Sequence, residues 1–440
     1  MNTHLKIVTF GGGSSYTPEL VEGLIKRYDS FPCTQFWLVD IEEGKEKLEI
    51  ITELAKRQFK KAGLPVQVHS TLDRREALKD ADFVTTQLRV GGLEARALDE
   101  AIPAKHGVIG QETNGPGGLF KALRTIPVIM DIIKDCEELC PEAWIINFTN
   151  PAGIVTQAIH EYTSWKRFIG VCNLPYGMHV EAARLLNADV SRIRIDMAGL
   201  NHLVFGINAY LDGNNMTKDL LKLYASTSGL GMKNIVDIPW SQAFLDSLGY
   251  IPCSYLRYYY QKDEMLKAQE EQMKTNTTRA EVVMRLEKDL FEQYKDQNLA
   301  IKPKELELRG GAYYSDAACN LMDSIANDKK DIQVVNTPNR GALQGIDPHD
   351  VIEVSSLITK DGPTPLTMPI LKPGALGIIQ QMKAFEKQSA LAAVSGQYQD
   401  AYLAMVMNPL VQSEQKATLI LNEMLEAHKR YLPQFNRREK

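Results

Sequence analysis

LKIVTFGGGSSYTPELVEGLI, residues 5–25, decides the fold. Ile7, Val8 and Phe10 form an apolar strand that runs into Gly11, Gly12 and Gly13, and Thr17-Pro18 then opens a helical run. Gly11 permits a tight strand-to-helix turn. Gly13 lets backbone approach a pyrophosphate, whose charge would sit at a helix N-terminus. Thr17 reads as a capping hydroxyl with proline at the first helical position. Where a G-x-G-x-x-G loop places its third glycine, this chain has Tyr16 after Ser14 and Ser15. Asp40 closes the next strand, QFWLVD, where an acid would hydrogen-bond the adenosine ribose of NAD and disfavour the 2′-phosphate of NADP. A glycine triplet also serves simply to bend a chain. Strand, glycines, helix start and Asp40 together point to dinucleotide binding.

Outward from this loop the alternation continues to about residue 200: QFWLVD, a charged helix near 43–62, PVQVH, DFVTTQL, AWIINF and RFIGVC. Strands alternating with helices predict an α/β fold with an N-terminal Rossmann-like, mostly parallel sheet. Ligands then collect beyond the carboxyl ends of the strands, which directs attention to GGGSSY, DIEEG, RVGGLEAR, TNPAG and CNLP. AGLNHLVFGINAYLDG reads as paired strands. Residues 218–300 and 375–396 carry helical spacing. The expected division is an NAD-binding unit over 1–200 and a mixed, mainly helical part over 201–440 that closes over the sheet edge, with DIQVVN and DVIEVSS available for an additional sheet.

Composition narrows the function. A chain of 440 residues with 44% hydrophobic and 24% charged residues is ordinary globular material. A net charge of -5 without long basic runs provides no footprint for nucleic acid or an anionic membrane. No apolar run approaches the ~20 residues of a membrane span, and MNTHLKIVTF lacks a signal-peptide pattern, so a cytoplasmic protein is expected. The six cysteines, at 33, 136, 140, 172, 253 and 319, lack zinc-finger spacing and are expected reduced. Cys136 and Cys140, four apart on a helix, read as packing.

Several constellations carry chemistry. Cys172 in GVCNLP and His202 in AGLNHL are able to supply two ligands to a divalent metal and leave positions open for substrate; softness alone favours zinc or iron over manganese. A buried free cysteine and a satisfied core histidine would look the same in sequence. IGQETNGPGG and NFTNPAG set Glu112, Asn114, Asn147 and Asn150 in turns suited to hydroxyl-rich ligands, although Asx turns use the same residues. LGYIPCSYLRYYY crowds Tyr250, Tyr255, Tyr258, Tyr259 and Tyr260 at a helix start, where a tyrosine beside a metal acts as a base if its pKa is lowered. Arg96, Arg279 and Arg309 are isolated cations able to hold a phosphate.

In this order, GGGSSYTPEL, GGLEAR, IGQETNGPGG, NFTNPAG, GVCNLP, GLNHL, PCSYLRYYY and RGGAYYS resemble the NAD- and metal-dependent family 4 glycoside hydrolases, especially its 6-phospho-β-glucosidases. The resemblance runs from residue 5 to about 320. It accounts for Tyr16, since that family's loop carries S-x-Y-T-P. NAD-dependent hydrolysis of this kind is a known exception to the usual pair of carboxylates. The resemblance implies oxidation at sugar C3, loss of the acidified C2 proton to a base, elimination of the C1 leaving group, water addition and re-reduction, with NAD+ regenerated in each turnover. It implies Cys172 and His202 as metal ligands, Mn2+ as the metal and Tyr255 as the base. Arg96, Asn150 and Asn173 fall at substrate contacts, Arg279 at the 6-phosphate, and Glu112 in the sugar or metal surroundings. Asn173 stands where α-specific relatives often have aspartate, which favours a β-glycoside; an amide is no acid, so water or solvent would protonate the leaving group. A homodimer or homotetramer is implied as well.

The expected fold is lactate/malate dehydrogenase-like, and a plain NAD-dependent 2-hydroxy-acid dehydrogenase, related in fold, is the main alternative from another class. Such an enzyme needs no Cys172 with His202 and releases NADH stoichiometrically. Within the family, a 6-phospho-α-glucosidase is the alternative. A non-catalytic NAD-binding regulator would lack the full set of Cys172, His202, Tyr255 and Arg279.

Overall fold

The computed structural model describes residues 4–232, 234–309 and 313–436. Strands β1 (Leu5–Phe10), β2 (Cys33–Val39), β3 (Gln67–Thr71), β4 (Phe83–Thr86), β5 (Trp144–Asn147) and β6 (Phe168–Gly170) pair in parallel in the order β3-β2-β1-β4-β5-β6. This is the order of a doubly wound dinucleotide-binding sheet, whose switch point lies between β1 and β4. Alternation along β1 sets its register. Ile7 packs with Leu20, Leu24 and Phe36 on one face, and Val8 and Phe10 with Leu123 and Ile126 on the other. β5 and β6 are buried at every position, as expected of strands covered on both faces.

The remaining strands run antiparallel: β7 (Ile193–Leu200), β8 (Leu203–Leu211), β9 (Asn214–Asn215), β10 (Ile251–Pro252), β11 (Asp331–Pro338), β12 (Val351–Thr359) and β13 (Gly362–Pro365). Contrary to expectation, DIQVVN and DVIEVSS build no additional sheet. As β11 and β12 they join β6 to the β7–β8 hairpin, giving one 13-stranded sheet. The cause is that β6 ends the parallel order. Its three buried residues would leave an open edge with unpaired backbone groups. β11 covers that edge, and Asn336 Nδ2 donates to Gly170 O (3.3 Å).

The mainly helical C-terminal stretch is present, and it covers the parallel half as well as the sheet edge. Helix Pro373–Ser395 packs on helices Pro116–Leu139 and Ala152–Tyr162. Asp99 grips Arg124 through both oxygens (2.7 and 3.0 Å) and meets His428 Nε2 at 3.0 Å, tying the last helical turns to the first half. Among the described residues no helix is long and apolar enough to cross a membrane.

Where β11, β12 and β7 meet, Glu353 is fully buried. Its Oε1 accepts from Asn201 (3.1 Å) and Asn336 (2.9 Å), while Oε2 has no partner. Burial raises its carboxyl to about 7. The folded state therefore holds a proton that the unfolded chain releases above its ordinary value of 4.5. Stability falls as pH rises between these two values, by about 1.4 kcal/mol for each unit. Glu353→Gln is expected to flatten this slope in urea denaturation of the EDTA-treated protein; a slope identical to that of the parent would assign the titration to another group.

Candidate active site

Beyond the carboxyl ends of β1, β4, β5 and β6 opens a cleft of about 1520 Å3. Pockets that take a drug-sized ligand typically enclose roughly 300–1,000 Å3, and this cleft is larger. The nucleotide end is made by the opening loop. Gly11 has φ +76, and a Cβ there would lie 3.0 Å from the backbone of Leu88. Gly13, Ser14, Tyr16 and Asp40 also line the cleft. Gly12 and Ser15 do not. Gly12 is pressed on Leu38, where a Cβ would come within 2.7 Å of the Leu38 Cβ, and Ser15 is buried with its Oγ donating to Glu287 (3.2 Å).

Two expected roles in this loop are taken differently. Thr17 is no cap: its hydroxyl donates to Gly12 O (2.8 Å) and accepts from Gln87 Nε2 (2.8 Å), closing the turn between β1 and β4. Asp40 spends Oδ2 on the Gly13 N–H (2.8 Å) and Oδ1 on the Ile41 N–H (2.9 Å), so it shapes the loop as well as lining the cleft. Tyr16 has a definite place. Its ring stacks on Tyr314 (5.6 Å between centroids) under the Arg309 guanidinium (4.1 Å), and its hydroxyl donates to Arg309 O (2.8 Å). Tyr314 in turn donates to Gln87 Oε1 (2.9 Å). Where a third glycine would bring helix and strand together, an aromatic side chain ties the loop to a segment of the second half. Gly310, Gly311 and Ala312 of the RGGAYYS run lie outside the described residues.

Cys172 follows β6, and His202 sits in the β7–β8 turn with φ +61. The order β6-β11-β12-β7 places them at one end of the sheet, with Sγ and Nε2 3.5 Å apart. For zinc, bonds of about 2.3 Å to sulfur and about 2.0–2.1 Å to nitrogen at a near-tetrahedral angle span such a gap. Among the described residues no cluster of three or more His, Cys, Asp or Glu forms a metal site. The pair fits an open site with positions left for substrate or water. Burial pushes the Cys172 thiol up and His202 down to about 3, so both are neutral here, and a cation would have to displace the thiol proton.

Tyr255 lies face to face with His202, 3.8 Å between centroids and 7° from parallel, and its hydroxyl accepts from Asn234 Nδ2 (3.4 Å). The structure departs here from the lowered pKa expected of a base. Burial, followed by the nearby Cys172, holds the hydroxyl well above the ordinary tyrosine value. Tyr258 stands 6.0 Å from it, ring to ring.

Elsewhere in the cleft Glu112 is a hub of charge, paired with Arg89 (2.6 Å), Lys121 (2.9 Å) and Arg96 (3.0 Å). Burial opposes its charge, but the three cations outweigh burial and hold the carboxyl well below the usual range. Burial and then Arg89 bring Lys121 down to about 7. Arg279 begins the helix Arg279–Tyr294, whose Thr278 and Glu281 complete a capping box. Burial and then Arg96 push its guanidinium below the ordinary value. A cation at a helix N-terminus beside other cations is poorly compensated, which is the setting an oxyanion relieves. Asn150 and Asn173 also line the cleft, with Asn173 Oδ1 3.8 Å from the Cys172 thiol.

Two other asparagines are structural. Asn147 is fully buried, with Nδ2 on Thr149 O (3.1 Å) and Oδ1 accepting from Thr86 (2.7 Å). Asn114 Nδ2 donates to His202 O (3.1 Å). Cys136 and Cys140 are buried packing residues. Sequence reasoning overlooked Arg89 and Lys121; the signal for Lys121 was a lone charge in the apolar run GLFKAL. It also overlooked Gln111 and Thr113 behind His202, for which no pattern existed.

A doubly wound sheet whose nucleotide loop shares a cleft with a Cys–His pair, a buried tyrosine and an arginine at a helix N-terminus defines a dinucleotide-type α/β enzyme. The chain belongs to the family 4 glycosyl hydrolases. The family model matches residues 6–188, and that of the "Family 4 glycosyl hydrolase C-terminal domain" matches 197–411. It is 58% identical over 436 residues to a "Probable 6-phospho-beta-glucosidase" of Bacillus subtilis, covering 99% of each chain. It is 51% identical to a "6-phospho-beta-glucosidase" of Escherichia coli, covering 99% of this chain and 98% of the relative. A solved 6-phospho-beta glucosidase from Thermotoga maritima with manganese, NAD+ and glucose-6-phosphate superimposes with a TM-score of 0.88 at 32% identity, over 97% of this chain and 99% of the other.

Proposed function

We propose that this chain hydrolyses 6-phospho-β-glucosides, such as phosphorylated cellobiose or aryl glucosides, to glucose 6-phosphate and the aglycone, by C3 oxidation, C2 deprotonation, elimination, water addition and re-reduction. The observation that carries this reading is the stacking of Tyr255 on His202, 3.5 Å from Cys172, in the cleft that also holds the Gly11–Tyr16 loop. NAD+ would accept and return a hydride, and a divalent cation held by Cys172 and His202 would stabilise negative charge developing on the sugar oxygens. Mn2+ is the proposed metal, following the Thermotoga relative, although the ligands alone are soft enough for zinc or iron.

The chain's own groups fill the other roles. Gly11, Gly13 and Ser14 cradle the pyrophosphate, and Asp40 faces the ribose. Arg279 and its helix N-terminus hold the 6-phosphate. Arg96, kept charged against burial by Glu112 and Glu100, orients the sugar with Asn150 and Asn173. Tyr255 takes the C2 proton. Glu112, already neutralised by three cations, fixes their positions and does not serve as an acid. Residues 1–200 act as the nucleotide unit and 201–440 as the substrate, metal and oligomerisation unit of a cytoplasmic homodimer or homotetramer.

Incubating the protein with NAD+, Mn2+ and a 6-phospho-β-glucoside in D2O is expected to release glucose 6-phosphate carrying deuterium at C2, without net NADH. NADH accumulating with the glycosidic bond intact would sink the proposal in favour of a dehydrogenase.

A further inference from the structure

We propose that Gln111 and Thr113 are positioning residues that set the tautomer of His202, so that an unprotonated Nε2 faces the cation site beside Cys172; this rests on the cation site proposed above. Gln111, Thr113 and His202 are all buried. Gln111 Oε1 lies 2.6 Å from the backbone nitrogens of both Thr113 and Asn114. Two N–H donors converge there, so the atom is the amide oxygen and not its nitrogen.

The remaining protons follow by counting. Thr113 Oγ1 is 2.8 Å from the same Oε1, which has no hydrogen to give, so the one hydroxyl hydrogen of Thr113 points to Gln111. Thr113 Oγ1 is also 2.7 Å from His202 Nδ1. Having spent its hydrogen, it accepts, and Nδ1 carries the N–H. A neutral imidazole has a single N–H, so Nε2 presents its lone pair on the side of Cys172 Sγ, 3.5 Å away. The ring is fixed in the other directions by Tyr255 against its face and by Asn114 Nδ2 on the His202 carbonyl (3.1 Å). Gln111 thus acts at two removes from any ligand, through the hydroxyl of Thr113. Partners that orient a metal-binding histidine in this way typically govern affinity about 10–100-fold.

The test uses the full chain. Nitrogen NMR of the metal-free, 15N-histidine-labelled protein, with His202 assigned by comparison with His202→Gln, is expected to show a protonated Nδ1 and a bare Nε2. Thr113→Val keeps the side-chain shape and removes the acceptor; it is expected to weaken Mn2+ binding, followed by the EPR signal of the free ion, by about 10–100-fold. Thr113→Ser should restore it, which a purely structural role for the threonine methyl would not do. A His202 Nε2–H signal in the parent protein overturns the inference even if Thr113→Val does not fold. Mn2+ binding by the parent with unchanged affinity in Thr113→Val overturns the positioning role and leaves the cation site standing. Failure of the parent to bind Mn2+ overturns the cation site itself.

Discussion

Cys172→Ser is expected to lower kcat/KM by at least about 10²–10³-fold at fixed Mn2+ and NAD+, the range seen when one preorganised charge-stabilising contact is lost. Serine matches the size of cysteine but keeps its proton, so it offers the cation no anionic ligand and His202 would be left holding it alone. The effect should be confined to the metal. The Gly11 loop is closed by Thr17, Gln87 and Asp40, and none of these bonds involves Cys172. NAD+ titration by fluorescence should therefore give the parent affinity. Full activity in the variant would remove Cys172 from the metal site.

Tyr255→Phe removes one hydroxyl and keeps the ring that supports His202 at 3.8 Å, so Mn2+ affinity should hold while proton removal slows. A positioned base contributes roughly 10²–10⁴-fold, and a drop of that size is expected in C2 deuterium uptake. The phenol of the metal-free chain is neutral, because burial, and then Cys172, raises it. Base function then needs positive charge delivered at Cys172 and His202, and this couples the two predictions: C2 exchange by the Tyr255 enzyme should vanish when the metal is chelated. An exchange rate unchanged in Tyr255→Phe would move the base elsewhere, with Tyr258 next.

The parallel half was legible because its cues are local. The alternation of Ile7 and Val8, Gly11 at positive φ and the apolar runs of β4 and β5 each decide structure within a few residues. β11 and β12 were visible as strands, but their place was not, since it depends on β6 ending the parallel order and on pairing about 166 residues away. The same limit applies in the site. Cys172, His202, Tyr255 and Arg279 were singled out through motif resemblance, whereas the spacing of Cys172 and His202 alone favoured a core pair. Thr17 illustrates the opposite failure, for a Thr-Pro helix start was read as a local cap while its hydroxyl was engaged across the β1–β4 turn. Lys121 and Arg89 gain meaning only from the burial of Glu112.

Tyr16 reaches a carbonyl 293 residues away, Tyr294 donates to Ser15 O across 279 residues, and Ser15 bonds Glu287 across 272. Contacts of such sequence separation close late, because the entropy of the intervening chain is lost before they form. The nucleotide loop is therefore finished by the last segments to dock. A fragment ending near residue 200 could form β1 to β6 on the ribosome, yet it would present an unsupported Tyr16. The bonds of Thr17, Gln87 and Asp40 lie within that fragment, whereas the anchors of Ser15 and Tyr16 arrive only with residues 287–314.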